Sequence, residues 1–173
     1  MGKEVVSNDY MHMNHVIAKA LIKNNSSKIS TSEAESLIKL NTSSRFVSET
    51  FEGLYYDKND SIMIDNIRNN INNLSSLTDK NIALGALIRS CIKKRPRGIF
   101  AYTGLRYNDG RKDLRLSINE HFLSNIDIIN NAVFSNKKKN KAMNKDCMEV
   151  RECADLVYID PPYFSPLSDN EYV

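Results

Sequence analysis

Along the first part of the chain, apolar residues recur at three- and four-residue spacing, the period of an amphipathic helix. The first such stretch runs from Met13 to Leu21. Ser30 and Glu33 then have the spacing of a capping box, in which each side chain bonds the other's backbone N–H. This pair predicts a short helix over residues 31–40.

Two longer helices are predicted in the middle of the chain, after an irregular stretch at residues 41–59. Asp60 is the expected cap of the first helix, and Thr78 or Asp79 begins the second, which stops before Pro96. The inward faces are Ile64, Ile67, Ile71 and Leu74 in the first helix and Ile82, Ala86, Leu87 and Cys91 in the second.

Beyond these helices, the periodic pattern becomes weaker. Residues 98–110 predict a loop with a short hairpin. Ser117 and Glu120 predict another capped helix, which extends to about Asn131. Residues 133–145 are too basic and too rich in asparagine for any assignment.

Two short apolar runs predict strands, one near each end of the chain. The first covers residues 4–6 and ends in a turn at Asn8 and Asp9; the second covers residues 156–159 and ends at Asp160. Separate strands with helices between them predict an α/β sheet. Ligands of such sheets bind outside the carboxyl ends of strands, so Asp9 and Asp160 are expected to face one pocket.

The second of these runs ends in Asp160-Pro161-Pro162-Tyr163. Pro161 forces Asp160 toward an extended conformation, and two prolines in succession remove two N–H groups. The segment is therefore a stiff turn that offers a carboxylate, backbone carbonyls and an aromatic ring. Such a turn suits a flat molecule with an amino group, whereas the simplest alternative is a proline turn that only closes a strand.

Charge is distributed unevenly along the 173 residues, a length typical of one domain. Residues 93–115 carry eight Lys and Arg against two Asp, and residues 137–145 add five Lys without an acid. From Asp146 onward, seven acids face only Arg151. A basic middle favours contact with phosphate and an acidic end favours a cationic ligand, although a charge run is also typical of a plain solvated surface.

Several classes of protein are disfavoured by the sequence. Three cysteines without paired spacing indicate neither a zinc site nor a disulfide framework, and His12 and His15 lack further ligands for a metal. No stretch is long and apolar enough to cross a membrane. We therefore expect a cytoplasmic protein without metal or membrane partners.

Three segments carry a resemblance to a known family. Residues 160–168 are similar to the catalytic loop, residues 5–9 to the second-strand segment and residues 95–115 to the recognition region of Dam-type adenine-specific DNA methyltransferases. The segments follow the family's order, and the catalytic loop is the specific part. The resemblance implies a Rossmann-like sheet that uses S-adenosylmethionine, with a mostly helical recognition insertion at about residues 41–131.

The resemblance also implies roles for individual residues. Asp160, Pro161, Pro162 and Tyr163 are the expected catalytic residues, acting on an adenine flipped out of duplex DNA. Asp9, Asp146 and Asp160 are the expected cofactor contacts. Arg95, Arg97, Arg111 and Lys112 are the expected contacts to DNA phosphate.

The chain also departs from the family. It has no glycine-rich Phe-x-Gly-x-Gly segment, and it has only ten residues after Tyr163. We therefore expect a single incomplete methyltransferase domain over residues 1–173, truncated or split, with a second chain as a possible source of the missing strand. Two alternatives stay open: a non-catalytic DNA-binding remnant, and a methyltransferase for an amino group of cytosine, RNA or protein.

Overall fold

The structure, a computed structural model, describes residues 2–39, 44–95 and 110–160. In these ranges the chain is mixed α/β and mostly helical, with one small parallel sheet. The order of its strands and α-helices is β1 (Val6–Asn8), α1 (His12–Ala18), α2 (Thr31–Leu37), α3 (Phe46–Phe51), α4 (Lys58–Asn72), α5 (Leu77–Lys93), α6 (Lys112–Arg115), α7 (Ile118–Ala132) and β2 (Lys141–Met143). A π-helical turn, Lys19–Lys23, continues α1, and a 3-10 turn, Cys147–Glu149, follows β2.

The sheet joins the segment that precedes α1 to the segment that follows α7. β1 and β2 are parallel, with Val6 opposite Lys141 and Asn8 opposite Met143. One backbone bond continues the ladder at each end: the Lys141 N–H donates to the Val5 carbonyl at 2.9 Å, and the Asp9 N–H donates to the Met143 carbonyl at 3.3 Å. Both strands therefore end at the same edge, where their following loops meet.

Helix α5 lies at the centre of the hydrophobic core and packs against α1, α4 and α7. Its inward residues Ile82 and Ala86 are fully buried, as the apolar pattern predicts. Gly85 of this helix faces α7 and the π-helical turn, where a Cβ would lie at ordinary contact distances, 3.5 Å from Ile129 Cδ1 and 3.8 Å from Ala20 Cβ. The predicted inward residues of both middle helices belong to or pack against the core, although Leu74 lies just after the end of α4.

Both predicted capping boxes are present, at Ser30 with Glu33 and at Ser117 with Glu120. The prediction that Asp60 caps α4 is wrong, because Asp57 holds that position and accepts the Asp60 N–H at 2.8 Å. Asp60 is instead buried, and its carboxylate lies 2.6 Å from the Lys94 ammonium. It also accepts the N–H of Ile118 at 3.1 Å, so it joins α4 to the ends of α5 and α7.

The stretch predicted to be irregular, residues 41–59, contains helix α3. Its first N–H groups are satisfied by a residue from another helix, Asp65 of α4, which accepts from Val47 N at 2.8 Å and Ser48 N at 2.9 Å. Two further α4 side chains, Asn66 and Asn70, donate to carbonyls at the end of α2. Buried polar groups of α4 thus cap both neighbouring helices.

The run Leu156–Ile159 does not form the predicted buried strand. These residues have no regular structure, and between 64% and 87% of each is exposed. A strand requires a neighbouring backbone to complete its hydrogen bonds, and no described strand lies beside this run. Among the described residues, no helix combines the length and apolarity that crossing a membrane requires.

Candidate functional site

A cleft of about 550 Å³ lies beside the carboxyl ends of β1 and β2. It is lined by Tyr10, Asn144, Lys145, Asp146 and Glu149. Four of these residues lie one to three positions after a strand end, and Glu149 lies six positions after the end of β2; parallel sheets bind ligands at this edge. The cleft is largely open to solvent.

Asp9 and Asp146 follow β1 and β2 respectively, and the structure brings their two loops together. Asp9 shapes its own loop: Oδ1 accepts the Met11 N–H at 2.7 Å, and Oδ2 accepts from Asn14 Nδ2 at 2.8 Å. Each carboxylate oxygen can accept a further bond. Asp9 can therefore bind hydroxyl groups of a ligand without giving up its role in the loop.

Asp146 begins the 3-10 turn, where its Oδ1 accepts the Met148 N–H at 2.9 Å. Its other carboxylate oxygen makes no hydrogen bond to any described residue. Glu149 adds a second carboxylate to the cleft, and Lys145 is the cation among the lining residues. The balance of charge in the cleft is therefore acidic, which favours amino groups and cations.

Tyr10 provides the aromatic surface of the cleft, since 78% of the residue is exposed. The sequence contained one signal for its role: Tyr10 directly follows Asp9, the acidic residue just after β1. Asn8, Asn144 and Glu149 gave no such signal, because their positions depend on the pairing of β1 with β2. These four residues, and Lys145, which also lines the cleft, are missing from the site predicted by sequence.

Two asparagines link the loops that border the cleft. Asn144 Nδ2 donates to the carbonyls of both Asp9 and Tyr10, each at 2.8 Å. Asn8 forms a reciprocal pair with the backbone of Lys145, donating to its carbonyl at 3.0 Å and accepting its N–H at 3.1 Å. Four side-chain hydrogen bonds thus connect the two loops beyond the end of the sheet.

Asp160 is exposed and does not line the cleft, so the described residues do not place it with Asp9 in one pocket. The other predicted catalytic residues, Pro161, Pro162 and Tyr163, lie outside the described residues. The cleft therefore contains one of the predicted site residues, Asp146, with Asp9 in the adjoining loop.

The predicted DNA contacts fall into three groups. Arg95 is buried, with 2% exposure; its Nη1 donates to the Tyr55 carbonyl at 2.9 Å and its guanidinium lies 5.0 Å from the centre of the Tyr55 ring. In this position the guanidinium packs against Tyr55 and is shielded from solvent. Arg111 and Lys112 are exposed at the start of α6. Arg97 lies outside the described residues.

Cysteines and histidines in the described ranges do not assemble into a metal centre: no group of three or more potential ligands is close enough to hold an ion. Cys91, Cys147 and Cys153 are all free thiols. Burial raises the pKa of the Cys91 thiol to about 12, with a hydrogen bond to Tyr56 as an opposing influence. Cys91 is therefore a protonated core residue rather than a nucleophile.

The model of the D12 class N6 adenine-specific DNA methyltransferase family matches residues 1–172. The chain therefore belongs to this family. It is also similar to a Type II methyltransferase, M2.HphI of Haemophilus parahaemolyticus, with 27% identity over 183 residues that cover 97% of this chain and 54% of the relative. The chain thus spans about half the length of the curated relative it matches. No solved structure matches it at a significant level.

Proposed function

We propose that this chain forms part of an adenine-specific DNA methyltransferase of a type II restriction–modification system, with S-adenosylmethionine as the methyl donor. One observation carries the proposal: an acidic cleft with an aromatic side chain lies at the joined carboxyl ends of two parallel strands. Family membership supplies the reaction class, since an adenine methyltransferase needs a methyl donor and a DNA substrate.

The residues of the cleft, together with Asp9 in the adjoining loop, suit an adenosine group with an attached cation. In this proposal, Asp9 accepts hydrogen bonds from the ribose hydroxyls, and Asp146 accepts one from the adenine amino group through its unused oxygen. The Tyr10 ring packs on the face of the adenine. When bound, the cofactor supplies an electrophilic methyl group on a sulfonium centre.

The target adenine is assigned to the loop that begins at Asp160. The exocyclic amino group is a poor nucleophile because its lone pair is delocalised into the ring. Hydrogen bonds from this group to the Asp160 carboxylate and the Pro161 carbonyl localise the lone pair toward the methyl group, and the surplus proton leaves after transfer. Tyr163 stacks on the flipped base, and Pro162 stiffens the turn. The resulting rate enhancement comes mainly from positioning and preorganised dipoles.

Arg111 and Lys112 are the proposed phosphate contacts among the described residues, and Arg97 is a further candidate from the sequence. Residues 41–131 are the proposed target-recognition region. If Arg111 and Lys112 bind phosphate, replacing both with Gln will reduce the slope of log affinity against log salt by about two units. We expect Arg95→Gln to leave that slope unchanged, because the Arg95 guanidinium is buried against Tyr55.

The active enzyme also requires sheet strands beyond β1 and β2, in this proposal. Two observations support this: the apolar run Leu156–Ile159 is exposed, and the relative is nearly twice as long as the matched region. A further segment, in the same polypeptide or in a second chain, would pair with this run and complete a Rossmann-like sheet. The 173-residue chain alone is therefore expected to bind S-adenosylmethionine only weakly, without saturation at micromolar concentration.

The cofactor assignment is tested by nuclear magnetic resonance with S-adenosylmethionine at millimolar concentration. We expect shifts of the backbone amides of Asn144 to Glu149 and of Tyr10, and their loss in Asp146→Ala. Shifts confined to other regions would contradict the assignment.

The catalytic assignment is tested in the complete enzyme that includes or complements this chain. Asp160→Ala should reduce adenine methylation at least about a hundredfold, because it removes a charge-assisted hydrogen bond to the reacting amine. Duplex binding should persist, since phosphate contacts lie elsewhere. Near-normal turnover in this variant would show that Asp160 only closes a turn.

A further inference from the structure

The proposed cofactor cleft is bordered by two separate loops, and its geometry depends on the distance between them. The β1 loop carries Asp9 and Tyr10, and the β2 loop carries Asp146 and Glu149. Each strand has only three residues, so the backbone ladder fixes the loops over a short length. Side chains beyond the ladder must therefore contribute to holding the loops in register.

We infer that Asn144 is a positioning residue for the cofactor, and that Asn8 assists it. This inference rests on the proposed function of the cleft. Asn144 directly follows β2, and its amide donates to two consecutive carbonyls of the opposite loop, those of Asp9 and Tyr10. A single side chain thus fixes the backbone that carries both the carboxylate and the ring.

Asn8 acts in the opposite direction across the same gap. Its side-chain amide imitates a backbone partner for Lys145, exchanging one donated and one accepted bond. This pair fixes the residue immediately before Asp146. Together the two asparagines extend the connection between the strands into the loops, so the ligand-binding groups of both loops are held at one separation.

The consequence for binding follows from preorganisation. If the two loops were free to move independently, the ligand would have to order them, and that cost would reduce its affinity. Loss of the two Asn144 hydrogen bonds is expected to raise the dissociation constant at least about fivefold, in line with the modest net contribution of neutral hydrogen bonds at an exposed site.

The chain offers a matched control at the other end of the same two strands. Asn136 Nδ2 donates to the Lys3 carbonyl at 2.8 Å, which links the segments that precede β2 and β1. Asn136→Ala therefore removes a side-chain link across the same sheet, together with local bonds to Lys138 and Asn140, but at the amino end of the sheet and away from the cleft. A purely structural role of Asn144 predicts that the two alanine variants behave alike.

The experiment titrates S-adenosylmethionine, up to millimolar concentration, into the 173-residue chain. Nuclear magnetic resonance follows the chemical shifts of the backbone amides of residues 144–149. We expect Asn144→Ala to weaken binding at least about fivefold and Asn136→Ala to change it less than about twofold, with similar reductions of Tm. Asn144→Asp is a second test. It adds a carboxylate beside a cationic ligand while removing both donors, so the inference predicts weaker binding, whereas attraction by charge alone predicts tighter binding.

The outcomes separate the inference from the function on which it rests. One outcome is that S-adenosylmethionine shifts the amide resonances of the wild-type cleft and binds Asn144→Ala as well as it binds Asn136→Ala. In that case the positioning role is wrong and the proposed cofactor site stands. If Asn144→Asp binds more tightly than wild type, charge rather than register governs the cleft, and the inference is again overturned. If no amide of the wild-type cleft shifts, the proposed site and the inference both fail.

Discussion

Replacing Lys94 with Met should strongly destabilise the helical part of the protein. The Lys94 ammonium lies 2.6 Å from the Asp60 carboxylate, and the two side chains are only 11% and 7% exposed. Lys94 also donates to the carbonyls of Leu114 at 3.3 Å and Leu116 at 2.8 Å. The substitution therefore leaves a carboxylate buried without its cation and two carbonyls without their donor.

The expected loss is about 3–5 kcal/mol of unfolding free energy, the typical cost of removing one partner from a buried ion pair. Much of this cost comes from the carboxylate that is left behind rather than from the lost attraction. The double variant Asp60→Asn with Lys94→Met removes both charges and keeps an oxygen that can accept the Ile118 N–H. It should be more stable than Lys94→Met alone by at least about 1 kcal/mol.

Urea unfolding followed by far-ultraviolet circular dichroism measures these free energies. Lys141→Met is the control, because the Lys141–Glu152 pair is 3.8 Å apart and its side chains are 55% and 26% exposed. This exposed pair should contribute less than about 0.5 kcal/mol. If Lys94→Met cost no more than Lys141→Met, or if the double variant gave no recovery, the burial argument would be refuted.

Three further changes test other parts of the fold. Asp65→Ala should lower the free energy of unfolding by about 2–3 kcal/mol and accelerate hydrogen exchange in α3, because Val47 N and Ser48 N lose their acceptor. Unchanged hydrogen exchange in α3 would contradict this. Gly85→Ala should raise the free energy of unfolding by about 0.5–1 kcal/mol, because alanine favours a helix more than glycine does and the added methyl group meets its neighbours at ordinary contact distances. A lower free energy of unfolding would contradict this. Because the pKa of Cys91 is raised, the folded protein keeps the thiol proton between about pH 9 and pH 12, where the unfolded chain has lost it. The contribution of Cys91 to the free energy of unfolding is therefore full below about pH 9. It decreases as the pH rises toward about 12, by up to about 1.4 kcal/mol per pH unit. Cys91→Ser should show a shallower decrease in urea unfolding, and an identical pH profile would contradict the assignment.

The sequence by itself determined the elements that are specified by residues close together in the chain. The two capping boxes are examples, since each joins side chain and backbone across three residues. The inward faces of α4 and α5 were predictable for the same reason: one apolar stripe is fully encoded by local spacing. The Asp-Pro-Pro-Tyr segment likewise identified the family before any contact was known.

Tertiary structure decided the elements whose stabilising partners lie far away in sequence. Helix α3 receives its cap from Asp65, eighteen residues after Val47, so the local sequence gave no sign of a helix start. Strand β2 has only three residues and exists through pairing with β1, about 135 residues earlier. Arg95 belonged to a basic run, yet the Tyr55 carbonyl and ring hold it in the interior.

The candidate site depends both on local sequence and on long-range contacts. Asp9 and Asp146 were selected from the sequence, but the meeting of their two loops depends on the parallel register that places Asn8 opposite Met143. Leu156–Ile159 had the composition of a strand, but composition supplies no hydrogen-bonding partner, and the run is exposed. Local sequence fixes which conformations a segment prefers, whereas long-range contacts decide whether its backbone and side chains find partners.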